Sequence, residues 1–202
     1  MNSKFFDLKK EKQDRMINAA LKVFAIHGYR HASTDDIVKE AAISKGLLFH
    51  YFGSKIGVYQ FIYDYSVRYM SLELKSAMDP KEKNLFELLR QLEYGKMCAM
   101  RGYPYMQQFL NRSMHEDVSE ALLAIEDKRN ELNELYDQLL SQADLTALPP
   151  SVDSSKLIRM LDYTVKGLMT SHFQDASFQP EMLYEEIADY ITLAEKMTEH
   201  CP

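Results

Sequence analysis

The stretch Ser33–Lys55, STDDIVKEAAISKGLLFHYFGSK, constrains the fold of this chain more than any other. Ser33 followed three residues later by Asp36 is a capping-box pattern with a shortened acid, and it marks a helix start. Ile37 and Ala41 then fall one helical turn apart on one face. Ala42-Ile43-Ser44 is too brief to be anything but a tight turn. Ser44 is a good cap for a second helix over about Lys45–Phe52, in which Leu48 and Phe52 are spaced to point inward together. Two short helices joined in this way form a helix-turn-helix, whose second helix can enter the major groove of DNA.

The outward face of that second helix carries Lys45, Gly46, Leu47, Phe49 and His50. A cation, a residue without a side chain and several ring or apolar groups can meet a phosphate and a base edge together. Gly46 lets the backbone approach a duplex closely. Gly53 ends the helix, Ser54 caps the next, and the dipole of that next helix together with Lys55 favours a phosphate. The candidate DNA-contacting set is Ser33, Thr34, Ser44, Lys45, Gly46, Leu47, Phe49, His50, Tyr51 and Lys55. Short helical hairpins also occur in proteins that never touch DNA, so the pattern alone leaves both readings open.

A wider set of residues narrows the choice. Arg15, Ala20-Leu21, Phe24, Gly28-Tyr29, Asp36-Ile37, Ala41, Ser44-Lys45-Gly46, Leu48, His50-Tyr51-Phe52 and Ser54-Lys55 resemble the amino-terminal signature of the tetracycline-repressor (TetR) family, over about the first quarter of the chain. The resemblance implies an all-α chain: a three-helix DNA-binding domain over residues 1–54, then a larger helical domain over 55–202 that binds an effector and dimerises. Four positions depart from the family pattern. Ala42 stands where glycine is usual, so the turn must absorb a methyl group. Leu47 stands where threonine or serine is common, Phe49 replaces a tyrosine, and Gly57 replaces an acidic residue that would complete the cap at Ser54. These departures bear on operator sequence and affinity, not on the fold.

Charge distribution agrees with the resemblance. The chain of 202 residues carries a net charge of -6. Residues 1–57, however, hold ten Lys and Arg against six Asp and Glu, while the whole chain has 24 against 30. A basic end on an acidic body turns that end towards phosphate. Few glycines and prolines, with abundant leucine, methionine, glutamate and lysine, favour helices throughout. No apolar run approaches the ~20 residues of a membrane span, and no signal-peptide core is visible, so a cytoplasmic protein with no membrane contact is expected. Cys98 and Cys201 have no motif spacing and read as reduced thiols.

In chain order, residues 1–8 read as frayed or as an arm. A first helix spans about Lys9–His27 with Ile17, Ala20, Leu21 and Phe24 as its apolar stripe, and Gly28 ends it. A long tyrosine-rich helix follows to about Met78 and stops at Asp79-Pro80. Further helices are predicted over about 81–100, from Pro104, over about Val118–Leu139 as one long helix, after an Asp153 cap, and over about Gln179–Thr198. Gly167 inside the penultimate helix costs roughly 1 kcal/mol against alanine unless a partner helix packs closely there.

No hydrolase, metalloprotease, phosphate-loop or dinucleotide signature is present, so neither an enzyme nor a cofactor is expected. His27 and His31 straddle Gly28 without sharing a turn, and His115-Glu116-Asp117 reads as a helix-end cap rather than a metal site. Methionine and aromatic residues in the body suit a pocket for a bulky, largely apolar effector. The candidate ligand set is Glu93, Met97, Met106, Phe109, Tyr136, Tyr163 and His172, with Glu93 and His172 as polar contacts; core packing is the competing role for each. Apolar faces on the last two helices suit a homodimer. Control by a protein partner instead of a small molecule is the alternative reading.

Overall fold

Apolar residues at helical spacing form helices almost wherever the sequence predicts them. The computed structural model describes residues 3–175 and 177–199, and among them every regular element is helical. The α-helices are α1 (Lys10–His31), α2 (Thr34–Ala41), α3 (Lys45–Phe52), α4 (Lys55–Ala77), α5 (Leu85–Gly102), α6 (Met106–Met114), α7 (Ser119–Ile125), α8 (Glu131–Leu140), α9 (Ser154–His172) and α10 (Pro180–Glu199). Short 3-10 turns occupy Ser3–Asp7, Glu126–Lys128 and Leu145–Ala147. Among the described residues no helix is long and apolar enough to cross a membrane. Cys98 is a free, half-buried thiol, and Cys201 lies outside the described residues.

The chain forms two compact units. The first joins Met1–Tyr69 with Gly102–Leu132, and the second joins Met70–Arg101 with Asn133–Pro202. In the first, the stripe of α1 (Ile17, Ala20, Leu21, Phe24) is fully buried with Ile37 and Ala41 of α2, Leu48 of α3 and Val58, Tyr59 and Ile62 of α4. Each such Ile, Leu or Phe contributes about 1.5–3 kcal/mol of burial. Tyr59 is the hub of the aromatic packing. Its ring lies 5.0 Å from Phe24, 5.1 Å from Tyr29 and 5.6 Å from Phe109 of α6. Its hydroxyl donates to Ser113 Oγ at 3.1 Å, and burial pushes its pKa up to about 12.

Gly28 ends the regular part of α1 as predicted, at φ 67, and one further turn runs to His31. A side chain at Gly28 would meet Arg112 Nε at 2.8 Å, so α6 closes on the backbone there. The loop after α6 then clamps the break. Glu116 accepts the Tyr29 amide at 3.1 Å, Glu120 accepts the Tyr29 hydroxyl at 2.7 Å, and Asp117 pairs with Arg30 at 3.2 Å. Glu116 also accepts the Asp117 and Val118 amides in the turn before α7, and His115 stands at the C-cap of α6, its amide closing back onto the Arg112 carbonyl. His27 and His31 are exposed.

Two expectations are corrected. Residues 3–8 are not frayed; Met1 and Asn2 lie outside the described residues. Phe5 is fully buried, and Gln13 Nε2 donates to the carbonyls of Phe6 and Leu8 at 3.1 and 2.7 Å. The single helix over Val118–Leu139 is two helices, α7 and α8, with a 3-10 turn between them. The polar run Glu126–Asn130 can turn without exposing apolar surface, and Arg129 fixes the turn by donating to the Met114 carbonyl at 3.1 Å.

The second unit is built on α9 and α10. Leu157, Leu161, Val165 and Met169 pack with Leu183, Ile187, Ile191 and Ala194, and with Leu85 and Phe86 of α5. Asp153 caps α9 by accepting the Lys156 amide at 3.0 Å, after the Leu148–Ser151 linker. Gly95 of α5 allows close packing, since a Cβ there would stand 3.0 Å from Leu74 Cα.

Candidate nucleic-acid interface

Local hydrogen bonds fix both ends of the helix-turn-helix. Ser33 Oγ accepts the Asp35 amide at 3.1 Å and starts α2. The helix stops at Ala42, in the left-handed region at φ 51 and ψ 52, the one non-glycine residue with positive φ among those described. The Ala42 and Ile43 amides close back onto the carbonyls of Lys39 and Val38, at 3.2 and 3.1 Å. This closure satisfies the last carbonyls of α2 and turns the chain sharply. Ser44 Oγ then accepts the Leu47 amide at 3.2 Å and starts α3.

The resulting α3 buries Leu48 and presents a mixed face. Lys45, Gly46 and His50 are exposed, while Leu47, Phe49 and Tyr51 are half-buried. A side chain at Gly46 would have nothing within 4 Å, so the front of α3 is open to close approach. Lys45 Nζ lies 2.7 Å from Asp35, with both side chains more than half exposed. An exposed pair of this kind is worth at most about 1 kcal/mol, so a phosphate can compete for Lys45 at little cost. Phe52 packs inward against Phe61 at 4.8 Å.

The exit from α3 is tighter than the sequence suggests. Gly53 adopts φ 73, and the Ser54 amide donates to the Phe52 carbonyl at 2.8 Å. Ser54 Oγ accepts the Gly57 amide at 3.1 Å. A Cβ at Gly57 would lie 1.9 Å from the Phe52 carbonyl oxygen. The glycine that departs from the family pattern is therefore required by the path of this turn. Lys55 is held inside the first unit: its ammonium sits 4.5 Å over the Tyr29 ring and 3.4 Å from the Arg30 carbonyl. Burial lowers its pKa, opposed by the carboxylates of Glu120 and Glu116.

The predicted effector residues divide between the two units. Met106 and Phe109 are buried in the first unit, Phe109 against Phe24, Tyr59 and Tyr63. In the second unit Tyr163 is exposed, Met97 is buried, and His172 bonds Glu186 at 2.6 Å. Glu93 and Tyr136 do come together, around a residue the sequence reading missed. Lys96 pairs with Glu93 at 2.6 Å and lies 4.9 Å over the Tyr136 ring, with both charged side chains almost buried. The signal available for it was the spacing of Glu93 and Lys96, one helical turn apart among apolar residues of α5.

Comparison with known proteins agrees with this geometry. The family described as bacterial regulatory proteins, tetR family, matches residues 16–60, from α1 to the start of α4. The HTH-type transcriptional regulator YuxN of Bacillus subtilis (strain 168) is 50% identical over 46 residues, which is 23% of this chain and 16% of that protein. The HTH-type transcriptional regulator HbdR of Aromatoleum sp. (strain CIB) is 33% identical over 86 residues, 43% of this chain and 31% of that protein. The matches thus span less than a third of either relative's length. Among solved structures, a TetR family transcriptional regulator from Chloroflexus aurantiacus J-10-FL superposes with a TM-score of 0.67 at 21% identity, covering 97% of this chain and 95% of that one. The fatty acid degradation regulator FadR from Bacillus halodurans gives 0.62 at 21% identity, covering 88% and 96%. The structures establish the fold, and over residues 16–60 the chain is similar to the tetR family of bacterial regulatory proteins.

Proposed function

We propose that this protein is a cytoplasmic, ligand-responsive transcriptional regulator, a repressor, that binds a near-palindromic DNA operator as a homodimer and is released by a bulky, largely apolar small molecule. The observation that carries the reading is the open front of α3, where the Ser44 cap holds Lys45, Gly46 and His50 at the surface. Residues 1–54 act as the DNA-binding part and 55–202 as the effector-binding and dimerising part. The DNA contacts come from Ser33, Thr34, Ser44–Leu47, Phe49, His50, Tyr51 and Lys55.

The dimer reading is supported by an exposed apolar face on the last two helices. Met160 and Tyr163 of α9, and Met182, Tyr190, Leu193 and Met197 of α10, are all exposed. Gly167 shares the stripe of Met160 and Tyr163, and a Cβ on it would have nothing of its own chain within 4 Å. Exposed apolar residues along both helices suit an interaction surface, and two-fold pairing gives two recognition helices. Effector control is supported by the buried Glu93–Lys96–Tyr136 group. Separating charges from water is costly, so such a pair contributes little net stability. A ligand there would act through α4 and move the two recognition helices off the ~34–36 Å spacing of successive major grooves.

The test is a binding-site selection on the parent, Leu47→Ala and Lys45→Ala at two salt concentrations. Leu47 can offer a base only an apolar contact, best made to a thymine methyl. Leu47→Ala is expected to relax preference at one base pair with the salt dependence unchanged. Lys45→Ala is expected to weaken all sequences and flatten the salt slope by about one per contact. Failure of the parent to select any duplex would refute the reading.

A further inference from the structure

We propose that Glu93 and Tyr136 form a receptor for an organic ammonium, whose entry displaces Lys96, and that the effector is accordingly a lipophilic amine. The inference rests on the effector reading above and narrows it to one charge class. Lys96 already occupies such a receptor as an internal ligand. Its ammonium lies 2.6 Å from a Glu93 carboxylate oxygen and 4.9 Å over the Tyr136 ring. A carboxylate beside an aromatic face suits an alkylammonium, with a charge-assisted bond on one side and the negative face of the ring on the other. The three residues come from α5 and α8, and all lie in the second unit.

The surroundings favour a cation over an anion. Burial opposes the charge on Lys96, yet Glu93, Tyr136 and Asp162 of α9 together raise its pKa above the ordinary value. The local field is thus negative in sum, although Asp162 is itself paired with Lys166 at 2.7 Å. An anionic effector would have to win Lys96 from a carboxylate already in contact, inside that same field. An ammonium takes over contacts that are already built. The Lys96 and Glu93 side chains are 14% and 8% exposed, so the pair is nearly dry, while the flexible lysine stem keeps a route to water. Buried pairs of this kind are often no more stabilising than apolar residues of the same size, so stability is a weak reason for one here. The chain beyond residue 57 also carries its acidic excess, and that field draws cations.

The experiment is calorimetry on the full chain with naphthylmethylammonium, naphthylmethanol and naphthylacetate, which share one apolar body and differ in the polar head. The parent is expected to bind the amine at least about tenfold more tightly than the other two. Tyr136→Leu should weaken the amine by about 2- to 30-fold, the span of a cation–π contact. Lys96→Met should tighten it by about tenfold or more, because the site no longer has to open first. A parent that does not bind the amine, or binds either of the others as tightly, would overturn the proposal. So would an amine affinity unchanged by Tyr136→Leu. Where Lys96→Met fails to fold with Glu93 left unpaired, the parent and Tyr136→Leu decide the matter. Operator release separates this proposal from the reading it rests on. Naphthylacetate that releases the duplex the parent selects would keep the effector reading and sink the ammonium receptor. Amine binding that meets these expectations without releasing operator would keep the receptor and sink the effector reading.

Discussion

Ala42 holds the turn between α2 and α3 at φ 51 and ψ 52, where a Cβ crowds the neighbouring carbonyl oxygen, and glycine relieves that crowding. The left-handed region costs an L-residue about 1–2 kcal/mol. Glycine would recover this but lose about 0.5–1 kcal/mol through its freer unfolded chain. The methyl group of Ala42 is exposed, so no buried contact is given up. Ala42→Gly should therefore stabilise the protein by about 0.5–1 kcal/mol. For a chain of this length that is a rise of about 1–4 °C in midpoint. Ala42→Val should do the opposite, because a β-branched residue tolerates positive φ least. Thermal and urea unfolding of the three proteins measures the series, with operator affinity as a check that α3 keeps its place. Equal or lower stability for Ala42→Gly would mean that the turn is not strained.

Gly57→Ala should destabilise by about 1–3 kcal/mol in urea unfolding, since its Cβ would fall 1.9 Å from a backbone carbonyl; a neutral result would show that the turn at 53–57 can open freely. On the proposed dimer, Gly167→Leu should shift sedimentation towards monomer with helical content unchanged, whereas an unchanged association constant would remove this stripe from the proposed seam. Tyr59 has a pKa raised from 10.0 to about 12 by burial, so its contribution is intact below pH 10 and is lost between pH 10 and 12 as the unfolded phenol ionises first. That loss amounts to about 3 kcal/mol, and Tyr59→Phe should flatten the alkaline limb of a stability–pH curve.

The features legible in the sequence are those decided by neighbours along the chain. Ser33, Ser44 and Asp153 cap the helices they precede, and Gly28 stops the helix it follows, because each bond spans only a few residues. The outward position of Lys45 and His50 follows from helical spacing alone. The break at Glu126–Lys128 was not legible, because apolar residues recur at helical spacing through it, from Ile125 to Leu132. Nor was the burial of Phe5, whose partners Phe52 and Phe61 are about fifty residues away. The effector set is the least legible. Methionines and aromatics fill cores and line cavities alike, and only tertiary placement separates Phe109 from Tyr136.

The clamp at Gly28 decides how this protein can be re-engineered. On the proposed function, such a chain invites grafting, in which the DNA-binding part of one protein is spliced to the effector-binding part of another. A splice after residue 54 would take Tyr29 without Glu116 and Glu120, and Phe24 without Tyr59 and Phe109. The graft would carry an amide with no acceptor and an open apolar wound, and the recipient's own α6 would have to heal both. A transplant that keeps Gly102–Leu132 together with Met1–Tyr69 moves the donor's wall along with its head. The seam that matters for such a chimera is drawn in space, and the chain crosses it more than once.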